Sequence, residues 1–296
     1  MKKFLLTFLA AVAFGINGYS QDSDSDTLDL NSYFTIIDSI ERSFTYQHGI
    51  IDLENGVGKI KVPDGYKYLD AAQSTKVLVD LWGNPPGEGA TLGMIIPESQ
   101  GVMADSGYVF NIQYDEIGYV KDDDAGDINY DELLEQMQTE EVEDNKDRVK
   151  EGYEPVHMVG WAAHPFYDKD RKILHWAKEL KFGSSDVNTL NYNVRVLGRK
   201  GVLILNAITS MPNLPLVQND LNKVLNIVEF NDGHRYKDFD PSVDKIAAWT
   251  IGGLVAGKIL AKAGILAVIL KFWKIIALAV AGAGGALWKK LRGKNE

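Results

Sequence analysis

The stretch KDDDAGDINYDELLEQM, from Lys121 to Met137, resembles a calcium loop running into a helix. An EF-hand loop takes its ligands at positions 1, 3, 5, 7, 9 and 12, with glycine at 6. With Gly126 at position 6, Asp123 falls at 3, Ile128 at the apolar 8, Asn129 at 9 and Glu132 at 12. Position 1 is then Lys121, a cation where the first carboxylate belongs, and position 5 is Ala125, which has no ligand atom. The other reading is an acidic turn that starts a helix. Asn129 would cap it, Glu132 would reach back to the cap, and Asp131 and Glu132 would sit at the positive end of the dipole. The missing first ligand favours this second reading.

Five histidines are spread over the chain: His48, His157, His164, His175 and His234. If the turn DKDR centres on Lys169–Asp170, His164 faces His175 across a hairpin. Two cross-strand imidazoles with one carboxylate would make a metal site, and with it a metal-dependent hydrolase. One residue of slip in register separates them, so two ordinary surface histidines are the expectation. Further on, Asn191, Asn193 and Arg195 alternate along one strand. Such a row either lines a cleft and receives an acidic group or is the solvated face of a strand, the commoner outcome. There is no G-x-S-x-G elbow, no phosphate-cradling glycine loop and no dinucleotide fingerprint, so no cofactor is expected.

The elements that must hold these residues follow from periodicity. A helix over about 31–44 carries Tyr33, Phe34, Ile37, Ile40 and Phe44 at three-to-four spacing. GIIDLENGVGKIKVP reads as a hairpin about ENG. DAAQSTKVLVDLWG reads as a helix with Asp70 and Gln73 at capping-box spacing, stopped by Pro85–Pro86. ATLGMIIP and GYVFNIQYD read as strands, the latter with Tyr108, Phe110, Ile112 and Tyr114 on one face. After a helix over about 130–150, four strand-like runs are joined by DKDR, GSSD and GRKG. Short joins between successive strands mean an antiparallel meander. A helix over 214–228 closes the body, and Asp240–Pro241 reads as a further helix start. The expected class is α+β: one layered domain, 31–240, with a mostly antiparallel sheet and flanking helices.

The ends have a different character. MKK followed by FLLTFLAAVAFG has the basic and apolar regions of a signal peptide over 1–20, and an acidic flexible segment fills 21–30. The chain has no cysteine, so disulfides and thiol chemistry are excluded. Residues 246–288 are almost wholly apolar, Ala and Gly, broken by Lys258, Lys262, Lys271 and Lys274. Membrane spans are expected within Ile246–Leu270 or Ala263–Trp288, each near the roughly 20 residues a bilayer requires. The anchoring segment is taken as 241–288, with a basic tail over 289–296 that belongs in the cytoplasm. Gly253 with Gly257, and Gly282 with Ala286, are small-xxx-small pairs that permit helix packing and self-association in the membrane. Of the net charge of −10, residues 1–20 carry +2 and residues 245–296 carry +8, so the body carries −20. An acidic body has no cationic face for nucleic acid.

Several phrases taken together, VLVDLWGNPPG, GYVKDDDAGDINYDELLEQM, HMVGWAAHPFYD, HWAKELKFG, NTLNYNVRVLGRKGVL and YKDFDPSVDKIAA, resemble an uncharacterised bacterial family. It is known as domain of unknown function 2167 and described as predicted membrane-anchored proteins. The resemblance runs from about Ile50 to the C-terminus. It implies an exported domain with a C-terminal membrane segment, and it carries over no catalytic residue. The functional expectation is an interaction module on the outer side of the bacterial cytoplasmic membrane, bound to the bilayer through 246–288 and to another envelope protein. An envelope enzyme, such as the metal-dependent hydrolase, is the alternative.

Overall fold

The computed structural model describes residues 30–82, 90–104, 107–150 and 152–257. The architecture is α+β, with two antiparallel sheets where the sequence suggested one. Helix α1 spans Leu30–Arg42 and strands β1 (Ile50–Asp52) and β2 (Gly58–Lys61) form the expected hairpin. Strand β3 (Tyr66–Asp70) leads directly into α2 (Ala71–Lys76), which continues as a π-helical turn over Val77–Leu81. Asp70 caps α2 by accepting from the Gln73 amide, and the Gln73 side chain returns to Asp70. Strands β4 (Thr91–Pro97) and β5 (Phe110–Asp115), helix α3 (Tyr130–Lys150) and the meander β6 (Val156–Asp168), β7 (Ile173–Phe182), β8 (Thr189–Leu197) and β9 (Val202–Ser210) follow. Helix α4 (Leu214–Val224), strand β10 (Val228–Phe230) and helix α5 (Ile251–Ala256) complete it.

The large sheet has the order β3-β4-β5-β9-β8-β7-β6, and the small one β1-β2-β10. One face of the large sheet carries Phe110, Ile112, Tyr192, Val194, Leu203, Leu205 and Ala207. The small sheet and α4 cover it, through Leu53, Val57, Ile60, Val217 and Val224. At about 25 cal/mol per Å² of apolar surface, this face is the main source of stability. The opposite face is apolar only at its flanks. Over β3 and β4, Leu69, Met94 and Ile96 pack with Val77. Over β6 and β7, Met158, Leu180 and Phe182 pack with Leu134 and Met137 of α3. Leu174, Trp176, Leu197 and Val202 pack under Ile251, Leu254 and Val255 of α5. The middle of this second face is polar.

Two strands were not visible in the sequence. YKYLD of β3 follows Pro63 and Gly65 too closely to look separate, and the three residues of β10 are too short for a period. The helix expected from Asp240–Pro241 does not form there. Asp240 instead accepts from the amide and hydroxyl of Ser242 in a turn, and the helix begins at Ile251, where the Thr250 hydroxyl accepts from the Gly253 amide. Between them Ile246 bridges Tyr119. Gly118 permits this: it has φ +100°, and a Cβ there would lie 2.7 Å from the Lys245 carbonyl oxygen.

This changes the first proposed span. Ile246–Leu270 is not one continuous helix, because Ile246 lies in a β-bridge and α5 ends at Gly257 with φ +76°. Ile251 and Val255 are fully buried in the domain. The signal peptide, the segment 21–29, Gly282, Ala286 and everything after Gly257 lie outside the described residues. Among those described, no helix is long and apolar enough to cross a membrane.

Candidate functional site

On the second face of the large sheet, strand register aligns four polar side chains in one row. Asn111 of β5 is opposite Asn206 of β9, Asn206 is opposite Asn193 of β8, and Asn193 is opposite Trp176 of β7. Side chains directly across antiparallel strands share a face at about 4.5–5.5 Å between Cβ atoms. The row next to it includes Gln113, Arg195 and Leu174, and the row on the other side Asn191 and Lys178. The alternation of Asn191, Asn193 and Arg195 was therefore real, but their expected solvation was not. Each is buried, Arg195 to 8% exposure. They lie on a central strand whose flanks are covered by helices, which a single strand's pattern cannot reveal.

The oxygens of this cluster are largely occupied. Arg195 donates to Asn206 Oδ1 at 2.8 Å, to Asn193 Oδ1 at 3.3 Å and to the Val194 carbonyl at 3.0 Å. Asn193 Nδ2 donates to Asn191 Oδ1, and the Thr91 hydroxyl donates to Asn111 Oδ1 at 2.6 Å. Two donors at the ends of the row have no partner: Asn111 Nδ2 and Trp176 Nε1. Their residues are 4% and 1% exposed. A buried donor without an acceptor costs about 1–3 kcal/mol, so each calls for an explanation.

The cations here are under strain from their surroundings. Burial pushes the Lys178 amine down to about 8, and the like charge of Arg195 adds to the effect. Burial also lowers Arg195, to about 10, opposed by the carboxylate of Asp115. The Arg195 guanidinium lies 5.1 Å from the Trp176 ring centroid, a cation–π contact. Asn206, Ile208 and Lys178 are only partly buried, so this part of the row meets solvent.

The acidic loop is a capped helix start. Asn129 Oδ1 accepts from the amides of Asp131 and Glu132, and Asn129 Nδ2 donates to Glu132 Oε1. Asp122 points elsewhere: it accepts from Tyr167 at 2.8 Å, Lys172 at 2.7 Å and Tyr236 at 3.0 Å. Burial alone would raise its carboxyl, but those hydrogen bonds and Lys172 bring it below the usual range. Asp123 and Asp127 line an adjoining cleft of about 680 Å³ with Tyr130, Phe166 and Lys169. Phe166 is 56% exposed.

The two histidines do not face each other. Phe166 is opposite His175, because the turn spans Lys169–Lys172, with Lys172 at φ +57°, and β6 bulges between Ala163 and Phe166. His175 meets the Tyr192 hydroxyl at 3.2 Å, and burial lowers its imidazole pKa. Among the described residues, no group of three or more His, Cys, Asp or Glu could hold a metal ion. Gly253 is buried within α5 and Gly257 ends it. The sequence reading missed Asn111, Asn206, Trp176 and Lys178. NYN and YNV stand out in composition, but only register connects them to three other strands.

A family model described as "Protein of unknown function (DUF2167)" matches residues 45–285. No curated protein matches the chain. A solution structure of cyanobacterial PsbP (CyanoP) from Synechocystis sp. PCC 6803 is similar at 7% identity and a TM-score of 0.35, over 64% of this chain and 92% of that one.

Proposed function

This chain belongs to the family of proteins of unknown function designated DUF2167, and from that premise we propose that it is an exported, membrane-held interaction module. The domain stands outside the bacterial cytoplasmic membrane and holds to the bilayer through the apolar segment after Gly257. The signal-like first twenty residues and the basic, apolar C-terminal region of the sequence support that address. The observation that carries the binding role is the row from Asn111 to Trp176. A domain stabilised only for its own sake would fill the middle of a sheet face with apolar side chains, since a buried cation adds little stability even with a carboxylate, here Asp115, acting on it. Groups kept at such a cost belong to recognition.

Two experiments test the reading. Fractionation with protease accessibility should place the domain in the membrane fraction and on the periplasmic side; a cytosolic, soluble chain would refute the address. A photo-crosslinking residue at Ile208, beside the row, should trap one discrete envelope partner in intact cells. That product should vanish in Arg195→Met, with folding checked by circular dichroism. A product indifferent to the row would refute the assignment of the binding face.

A further inference from the structure

We infer that the folded domain has a membrane contact of its own, the surface around Val243, Lys245 and Ile246, which rests on the phospholipid bilayer and sets the domain's orientation there. This rests on the membrane-held reading and adds a second contact to the apolar segment after Gly257. Val243 is 73% exposed, more than any other large apolar side chain among the described residues, and Ile246 is 46% exposed. Single exposed apolar side chains are ordinary on a protein surface. These two stand three residues apart, and they differ from the others in how they are held. Asp244 between them has its side chain only 2% exposed, where it accepts from Arg199 Nε at 2.6 Å and from the Asp240 amide at 2.7 Å. The Tyr119 amide donates to the Lys245 carbonyl and the Ala247 amide to the Tyr119 carbonyl, both at 2.8 Å. A loose linker could turn its apolar side chains inward. This one is pinned, so the domain keeps both side chains in water at about 25 cal/mol per Å² until something else covers them.

Charge and position say what covers them. The Gly118 amide donates to the Lys200 carbonyl at 2.9 Å, beside the bond from Tyr119 to Lys245, so the backbone brings the two lysines to this one place. Both are exposed. On a body of net charge −20, a pair of lysines beside an exposed valine and isoleucine is a local exception. Apolar side chains that enter the acyl boundary, with ammonium groups at the level of the phosphates, are the chemistry of a bilayer surface. Position selects the bilayer over a protein partner. Five residues separate Ile246 from the start of α5, a reach of at most about 18 Å, and α5 adds about 9 Å. The chain then leaves the domain at Gly257 for a sequence that is almost wholly apolar. A domain held so closely presents to the membrane the surface nearest its point of attachment. The acidic loop is also near, since the Ile251 amide lies 3.4 Å from Asp124 Oδ1. Anionic lipid repels that loop, which leaves the side of Lys200 and Lys245 to settle on the headgroups.

The chain has no cysteine, so one substitution gives one attachment point for a fluorophore. Val243→Cys and Ile246→Cys report on the patch. Val187→Cys is the control, because Val187 is 51% exposed and adjoins the end of β8 away from Lys200. Each full chain is reconstituted in vesicles of three parts phosphatidylethanolamine to one part phosphatidylglycerol, with and without lipid carrying a nitroxide on its acyl chain. The nitroxide should quench the labels at 243 and 246 at least twofold more than the label at 187. Lys200→Gln with Lys245→Gln should reduce that difference, and so should vesicles without phosphatidylglycerol. Equal quenching at all three positions would overturn the proposal. A chain that floats with the vesicles while the labels at 243 and 246 stay in water would refute this contact and leave the tether after Gly257 standing. A chain that does not float would refute the tether and this contact together.

Discussion

Lys172 Nζ lies 2.7 Å from Asp122 Oδ2, and this pair joins the β6–β7 turn to the acidic loop ahead of α3. Lys172 occupies φ +57°, a region costly to a residue with a Cβ. The ion pair and the Tyr236 ring, 4.9 Å from the ammonium, offset that cost. Asp122→Asn should therefore lower stability by about 1.5–3 kcal/mol, the range for charged hydrogen bonds. The Asp122 carboxyl is depressed in the fold. Its contribution is present above the unfolded carboxylate pKa and is lost as pH falls through the folded one. Urea denaturation from pH 7 to pH 3 should show a steeper acid loss in the parent than in Asp122→Asn.

Lys178 gives the opposite slope. Its folded pKa is about 8, below the ordinary 10.5. Between these values the unfolded chain binds the proton and the folded chain does not, so stability should rise with pH across that window. Lys178→Met should remove the rise and increase Tm at pH 7. Thermal unfolding at pH 7, 8, 9 and 10 measures both effects.

His175 is lowered by burial, with Arg171 contributing. The unfolded chain therefore takes up the proton first as pH falls below about 6.5. Stability should decline there, and His175→Gln should flatten the decline in urea melts at pH 7, 6 and 5.

Calcium should do nothing to the acidic loop. Asn129→Ala should cost about 1 kcal/mol through the lost cap of α3, while millimolar Ca²⁺ leaves the Tm of the parent unchanged. A calcium-dependent rise in Tm, lost in Glu132→Gln, would restore the ion-loop reading.

Gly118→Ala tests how the chain before α5 is held. The added methyl meets the Lys245 carbonyl oxygen at 2.7 Å, at a φ that alanine avoids. The expected result is a loss of about 2 kcal/mol or more, with earlier proteolysis on the C-terminal side of Asp244 while the meander stays protected.

The elements whose residues repeat were legible in the sequence. GYVFNIQYD gave the correct inward face of β5, and the spacing of Asn129 and Glu132 gave the cap of α3. Short joins gave the meander. Relations between distant strands were not legible. Nothing in NYNVR says that β9 brings Asn206 alongside, or that β5 stands next to β9. The alternative in which His164 faces His175 failed because the turn is centred one residue later, which moves the pairing by two, and because β6 bulges; periodicity fixes neither. The start of α5 was misplaced because Asp240–Pro241 satisfies the local rules for a helix start, while the bridge from Ile246 to Tyr119 holds the following residues extended.

The pairing of Asn111 with Asn206 has a consequence for the order of folding. Each hairpin of the meander closes a short loop, and such contacts form early because little chain entropy opposes them. The β5–β9 seam joins residue 110 to residue 207 and must wait for the longer closure. The polar row crosses that seam. Neither the strands up to β5 nor the meander contains it alone. A chain arrested before the seam closes would have most of its strands and a row that lacks Asn111, so the complete row marks the closing of that long-range junction.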